Sequence, residues 1–148
     1  MYIISESDDY EKLSCLFNEN GLEIDAGIRR PHNVVKCWEC RDITSNKLIG
    51  GASLEIRSGY FVVADVAVDI DYRKEKIGTQ LMSIMEDEII KQGGSEAWLV
   101  GKVPEFYIKI GWEIVDRDQA PNISKCFTCD KFGTECFAEV MRKTLVKA

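Results

Sequence analysis

The run from Ala64 to Leu81, ADVAVDIDYRKEKIGTQL, holds the residue types best suited to chemistry. Its pattern is a buried strand passing through a short charged loop into a helix whose first turn contains Gly78. The first N–H groups of a helix have no intrahelical acceptor and lie at its positive dipole end. Such a start holds phosphate oxygens without needing a basic protein around it. Arg73, Lys74 and Lys76 add local positive charge, and a glycine at 78 lets the backbone approach a diphosphate closely. The competing reading is a solvated charged loop ahead of an amphipathic helix. In the same run Asp65 stands on a mostly apolar strand. A carboxylate there is costly to bury unless it faces a cleft or a partner, so Asp65 is a candidate functional carboxylate, with a solvent-facing aspartate as the alternative. Glu55, on the preceding strand, is a weaker candidate for that role, and Asp69 and Asp71 read as loop and capping residues.

The six cysteines suggest other chemistry. Cys126-x-x-Cys129 followed by Cys136 has the spacing of a zinc half-site. A fourth ligand would have to come from Cys37, Cys40 or His32, and a strand places Cys37 and Cys40 on opposite faces. Zinc on these thiols is weighed against buried or redox-labile cysteines. His32 is the only histidine, so Cys-His nucleophilic catalysis would rest on it alone.

The elements that must position these groups follow from periodicity. Met1–Ser5 reads as a strand, and about Ser7 to Asn20 as a helix with Tyr10, Leu13, Leu16 and Phe17 on one face. Three strands, Val34–Asp42, Leu48–Arg57 and Tyr60–Val68, are separated by turns at Ser45-Asn46-Lys47 and Ser58-Gly59, which makes them an antiparallel meander. Ile77, Leu81, Ile84, Met85 and Ile89 define a second helix ended by Gly93-Gly94. Ala97–Val100 is a buried strand, Pro104 opens a short helix ended by Gly111, and Trp112–Val115 and Phe137–Leu145 are the last strands. The long connection from Asp116 to Glu135 calls for a function or a clamp of its own.

A chain of 148 residues with 45% apolar and 30% charged content is expected to form one domain. A net charge of -6 argues against general affinity for nucleic acid or anionic membranes. Met1 to Tyr10 lacks a basic and apolar leader pattern and no run reaches membrane-spanning length, so a cytoplasmic protein is expected. The oligomeric state, a homodimer included, is left open.

The run from Val66 to Leu81 resembles the acetyl-CoA pyrophosphate loop of the GNAT superfamily, Gln/Arg-x-x-Gly-x-Gly/Ala, here from Arg73 to Gly78 with Lys76 in place of the first glycine. PEFYIKIGWEIV, Pro104 to Val115, resembles that family's later helix and strand; an asparagine common ahead of that helix is absent, and Gly101-Lys102-Val103 stands there. The resemblance implies a mixed, mostly antiparallel α/β sheet flanked by helices, with a splayed central strand pair, and acetyl-CoA as co-substrate. It implies direct transfer of the acetyl group to an amine. Val66, Ala67 and Val68 would offer backbone groups to the pantetheine arm and the thioester oxygen, splaying from Ala97–Val100. Arg73, Lys74, Lys76, Ile77, Gly78 and Thr79 would hold the diphosphate, Tyr107 would protonate the departing thiolate, and Asp65, or less well Glu55, would accept the proton of the amine.

In the same family the N-terminal third covers the acceptor end of the cleft. Arg29-Arg30 beside Pro31 would there hold a carboxylate, while Asp65 faces the amine, which suits an amino-acid-like acceptor; solvated surface arginines are the alternative. Two rival readings are a degenerate CoA-binding sensor without turnover and a small metal-binding regulator built on the cysteines.

Overall fold

A computed structural model describes residues 1–22, 24–101, 103–121, 123 and 139–145. Its strands are β1 (Tyr2–Glu6), β2 (Val34–Asp42), β3 (Leu48–Arg57), β4 (Tyr60–Val68), β5 (Glu96–Gly101), β6 (Glu113–Ile114) and β7 (Glu139–Thr144). The α-helices are α1 (Tyr10–Glu19), α2 (Ile77–Lys91) and α3 (Pro104–Lys109). The sheet runs in the order β1-β2-β3-β4-β5-β7-β6. Antiparallel ladders join β1 to β2, β2 to β3, β5 to β7 and β6 to β7, and β4 pairs with β5 in parallel, with its register at Val62 and Trp98. This is the mixed, mostly antiparallel architecture expected.

The three meander strands have the boundaries that alternation and turn residues predict. Ser58 and Gly59 both take positive φ, 52° and 82°, the two-residue turn whose twist suits a hairpin. Asn46 supplies a further left-handed residue, φ 61°, between β2 and β3, where the Asp42 carboxylate accepts from the N–H groups of Thr44 and Ser45.

Contacts divide the chain into two compact units: Met1–Glu55 with Val63–Met85, and Ile56–Val62 with Glu86–Ala148. In the first, α1 covers one face of the meander. Tyr10, Leu13, Phe17, Val34, Cys37 and Ala67 form its core, joined by Leu22, Ile24 and Ile28 from the following loop. The approach is close, since a Cβ on Gly51 would stand 2.5 Å from Leu13 Cδ2. A Cβ on its neighbour Gly50 would meet Cys40 Cβ and Ile77 Cγ2 at 3.3 Å, so adjacent glycines admit a different helix on each face. Cys37 and Cys40 thus lie on opposite faces, as alternation requires.

In the second unit Val62, Trp98, Ile123 and Val140 pack together with Val100, Val115 and Ala120. Ile123 belongs to the long connection, and its carbonyl accepts from Arg57 Nη1 at 2.7 Å. The connection has the clamp its length called for, at least to Ile123. Among the described residues no helix is long and apolar enough to cross a membrane.

Candidate active site

The segment from β4 to α2 is held from several sides. Asp69 N donates to Ile49 O at 2.7 Å, and the Asp69 carboxylate accepts from Asp71 N at 2.9 Å, capping a 3-10 helix over Ile70–Glu75. Lys47 pairs with Asp69 at 3.4 Å. Lys76 closes that turn in the left-handed conformation, φ 60° and ψ 28°. This is the position at which the motif has a glycine, and the reason is now visible: the backbone needs a positive φ there. The first α2 bond at this end runs from Gln80 N to Lys76 O at 3.2 Å, so the N–H groups of Ile77, Gly78 and Thr79 have no intrahelical acceptor. Lys74 and Lys76 are exposed beside them. Arg73 is committed differently: its Nε donates to Val68 O at 3.0 Å and its Nη2 to Asn20 Oδ1 at 3.4 Å. The Val68 carbonyl therefore already has a donor.

Along β4 the burial alternates, with Val63, Asp65 and Ala67 buried and Ala64, Val66 and Val68 half-buried. Asp65 therefore shares the face that α1 covers. It is only 8% exposed, and Ser53 Oγ donates to its Oδ2 at 2.7 Å. Glu55, 4% exposed, accepts from Asn33 Nδ2 at 2.8 Å. The β2–β3 register sets Cys37 opposite Ser53 and Val34 opposite Glu55. Burial pushes the Cys37 thiol up to about 11; the nearby Arg30 guanidinium opposes this, and the charges of Asp65, Glu55 and Asp8 add to it. Cys40 is likewise raised to about 11, chiefly by burial. Both are protonated, buried thiols at neutral pH, poorly suited to metal ligation or nucleophilic attack.

The loop that leads into β2 is clipped to α1 by Ser14, whose Oγ accepts from Gly27 N at 2.9 Å and Ile28 N at 3.2 Å. Arg29 and Arg30 line a surface cavity of about 360 Å³ together with Asp8, Asp9, Tyr10 and Glu11. Arg30 Nη2 donates to the carbonyls of Val34 at 3.1 Å and Val35 at 2.9 Å, which anchors the start of β2. Arg29 makes no such bond among the described residues and is exposed.

Tyr107 belongs to the second unit, on α3. Burial raises its phenol above the ordinary tyrosine range. Its ring meets Trp112 edge-on with centroids 6.3 Å apart, and Phe106 at 5.0 Å. The far end of α3 is fixed by Lys143, whose Nζ donates to Ile110 O at 2.8 Å and pairs with Glu86 at 2.7 Å.

Sequence reasoning singled out Asp65 and Glu55 but missed Ser53 and Asn33, which bond to them, and considered Cys37 only as a metal ligand. The only sequence signal for Ser53 is alternation, since Ser53 and Glu55 share a strand face. Cys126, Cys129 and Cys136 lie outside the described residues. Among those described, no cluster of three or more His, Cys, Asp or Glu side chains is arranged to hold a metal.

The chain matches the family model described as acetyltransferase (GNAT) domain over residues 34–114, and it belongs to that family of acetyltransferases. No curated protein sequence matches it. Solved structures share the fold at low identity. A GNAT-family acetyltransferase from Staphylococcus aureus is 17% identical with a TM-score of 0.73, covering 99% of this chain and 100% of that one. The N-acetylglutamate synthase of Neisseria gonorrhoeae, complexed with coenzyme A and N-acetyl-glutamate, is 16% identical with a TM-score of 0.73, covering 99% of this chain and 36% of that one. The PaiA N-acetyltransferase of Thermoplasma acidophilum, in complex with coenzyme A, is 18% identical with a TM-score of 0.67, covering 97% and 99%.

Proposed function

We propose that this acetyltransferase moves the acetyl group of acetyl-CoA directly to the amine of a small, amino-acid-like acceptor. The observation that carries the reading is the buried Asp65 carboxylate on β4, the strand that leads into the start of α2. The Ile77, Gly78 and Thr79 N–H groups, with Lys74 and Lys76, are assigned to the diphosphate of the co-substrate; Arg73 acts there by bracing the loop through Val68. The backbone of Val66, Ala67 and Val68 is assigned to the pantetheine arm and the thioester oxygen.

In the reaction the amine nitrogen attacks the thioester carbonyl carbon, the new C–N bond forms and the C–S bond breaks. Asp65 accepts the proton the amine loses, and Tyr107 gives a proton to the departing thiolate. A phenol held protonated by burial suits that second step. Asp65 is preferred to Glu55 as base because it stands on β4, the strand that leads into the start of α2, whereas Glu55 stands on β3.

The acceptor class rests on the cavity beside α1, where arginines and carboxylates occur together. A lining of both signs suits a ligand of both signs, an amine that carries a carboxylate. The N-acetyl-glutamate bound to one structural relative is a product of that kind. Arg29, with its side chain exposed in the cavity, is the better carboxylate partner, and Arg30 serves the loop.

An amine panel assayed by CoA thiol release tests this. Amino acids are expected to react faster than their decarboxylated counterparts, with the preference reduced by Arg29→Ala. A preference for polyamines or protein N-termini, or indifference to Arg29→Ala, would reject the acceptor assignment.

A further inference from the structure

Glycine inside a strand is unfavourable, because it sacrifices backbone entropy and leaves nothing to pack; where it occurs, a bend or a close approach is the usual reason. Gly101 is the last residue of β5, buried and paired with Glu139 of β7. Unlike Gly93 and Gly111, it is not among the residues with positive φ, so its backbone would accept any side chain. Space is the remaining reason. A Cβ at Gly101 would stand 2.8 Å from Tyr107 Cε2 and 3.1 Å from Tyr107 Cδ2, with Leu99 Cδ1 also at 3.1 Å.

The atom most affected is Cε2, which is bonded to the carbon that carries the phenol oxygen. Relief of the clash needs a shift of roughly 1 Å to restore ordinary contact distance, and the hydroxyl moves with the ring. The ring is already hemmed by Trp112, only 3% exposed, and by Phe106. Lys143 holds the carbonyl that ends α3, so the helix resists sliding away as a body.

We infer that Gly101 is a positioning residue for the Tyr107 hydroxyl: the absence of a side chain at the end of β5 sets where the phenol lies. The inference rests on the proposed acid role of Tyr107 for its kinetic consequence, and on the contact alone for its structural one. A misplacement of about 1 Å in a reacting group lowers a rate by as much as ~100-fold. Core packing alone would not couple the glycine to the hydroxyl in particular, and this separates the two explanations.

The experiment is a double-mutant cycle with a titration. Gly101→Ala is expected to lower kcat roughly ten- to a hundredfold with KM for acetyl-CoA little changed, and to have less than about a threefold effect in a Tyr107→Phe background. Tyrosinate absorbance, with the Tyr107→Phe difference identifying the residue, should show the Tyr107 phenol ionising at lower pH in Gly101→Ala, as the ring leaves its buried seat. Should Gly101→Ala fail to fold, adding Tyr107→Ala is expected to restore folding by removing the clash; failure of that rescue overturns the inference. Unchanged kcat together with an unchanged titration also overturns it. A fully active Tyr107→Phe would instead reject the acid assignment, while the titration and the stability rescue still decide the role of Gly101.

Discussion

Ser53 Oγ donates a 2.7 Å hydrogen bond to Asp65 Oδ2 across two neighbouring strands, and both side chains are buried. The hydroxyl orients the carboxylate. Asp65→Asn, which keeps the shape and removes the basic oxygen, is expected to lower kcat by roughly 100-fold to 10,000-fold. Ser53→Ala should cost less in rate. Steady-state kinetics read both; an unaltered rate in Asp65→Asn removes Asp65 from the chemistry.

Lys76 holds a left-handed backbone in the middle of the proposed diphosphate site. A non-glycine residue there carries roughly 1–2 kcal/mol of strain, which Lys76→Gly relieves in part against the greater freedom of glycine in the unfolded chain. The variant is expected to melt no lower than the parent, while its affinity for CoA falls several-fold through loss of the ammonium. Thermal unfolding and calorimetry on one preparation check the pair of effects. Equal or tighter CoA binding by the glycine variant would show that the ammonium is not used.

Tyr107→Phe keeps the ring and removes the proton donor, so kcat should fall roughly tenfold to a thousandfold with a smaller change in cofactor affinity. Because burial raises the phenol above the usual ~10, wild-type kcat should keep its acid-dependent plateau past that pH and lose it only higher up. The same shift acts on stability. Folding favours the neutral phenol, so its contribution is full below the ordinary tyrosine value and is lost as pH rises through the raised one. An alkaline limb that persists unchanged in Tyr107→Phe belongs to another group.

Cys37 and Cys40, with thiols pushed up to about 11, are expected to resist iodoacetamide at pH 8 in the folded protein and to react after unfolding. Peptide mapping by mass spectrometry distinguishes them from half-exposed Cys15. Rapid native modification of either would contradict the protonated, buried state and reopen both as ligands for the Cys126, Cys129 and Cys136 group.

The meander was legible because its determinants are local: alternating apolar residues and turn residues at Asn46 and Ser58-Gly59 fix both boundaries and face. The first helix starts later than Ser7 suggests. Asp9 takes the N-cap, accepting from Lys12 N, while the Ser7 hydroxyl accepts from Asp9 N in the approach to it. Two nearby capping residues compete, and sequence does not rank them. The start of α2 and the roles of Asp69 and Asp71 also followed from local chemistry. Contacts made by distant pairing were not legible. The insertion of β7 between β5 and β6 depends on the sheet order, and the Ser53 bond to Asp65 and the Tyr107 ring against Gly101 depend on how side chains pack once the elements have formed. Arg29 and Arg30 looked equivalent in sequence, and only the carbonyls of Val34 and Val35 separate them.

The central claim is that the start of α2 holds the diphosphate of acetyl-CoA, and calorimetric titration of CoA into wild type and Gly78→Glu tests it most directly. The carboxylate of the variant would occupy and repel the phosphate position at the N–H groups of Ile77, Gly78 and Thr79. The expected result is saturable binding by the wild type and no detectable binding by a Gly78→Glu protein whose circular dichroism and melting curve show it folded. Equal affinity in the two proteins would contradict the account and put the cofactor elsewhere.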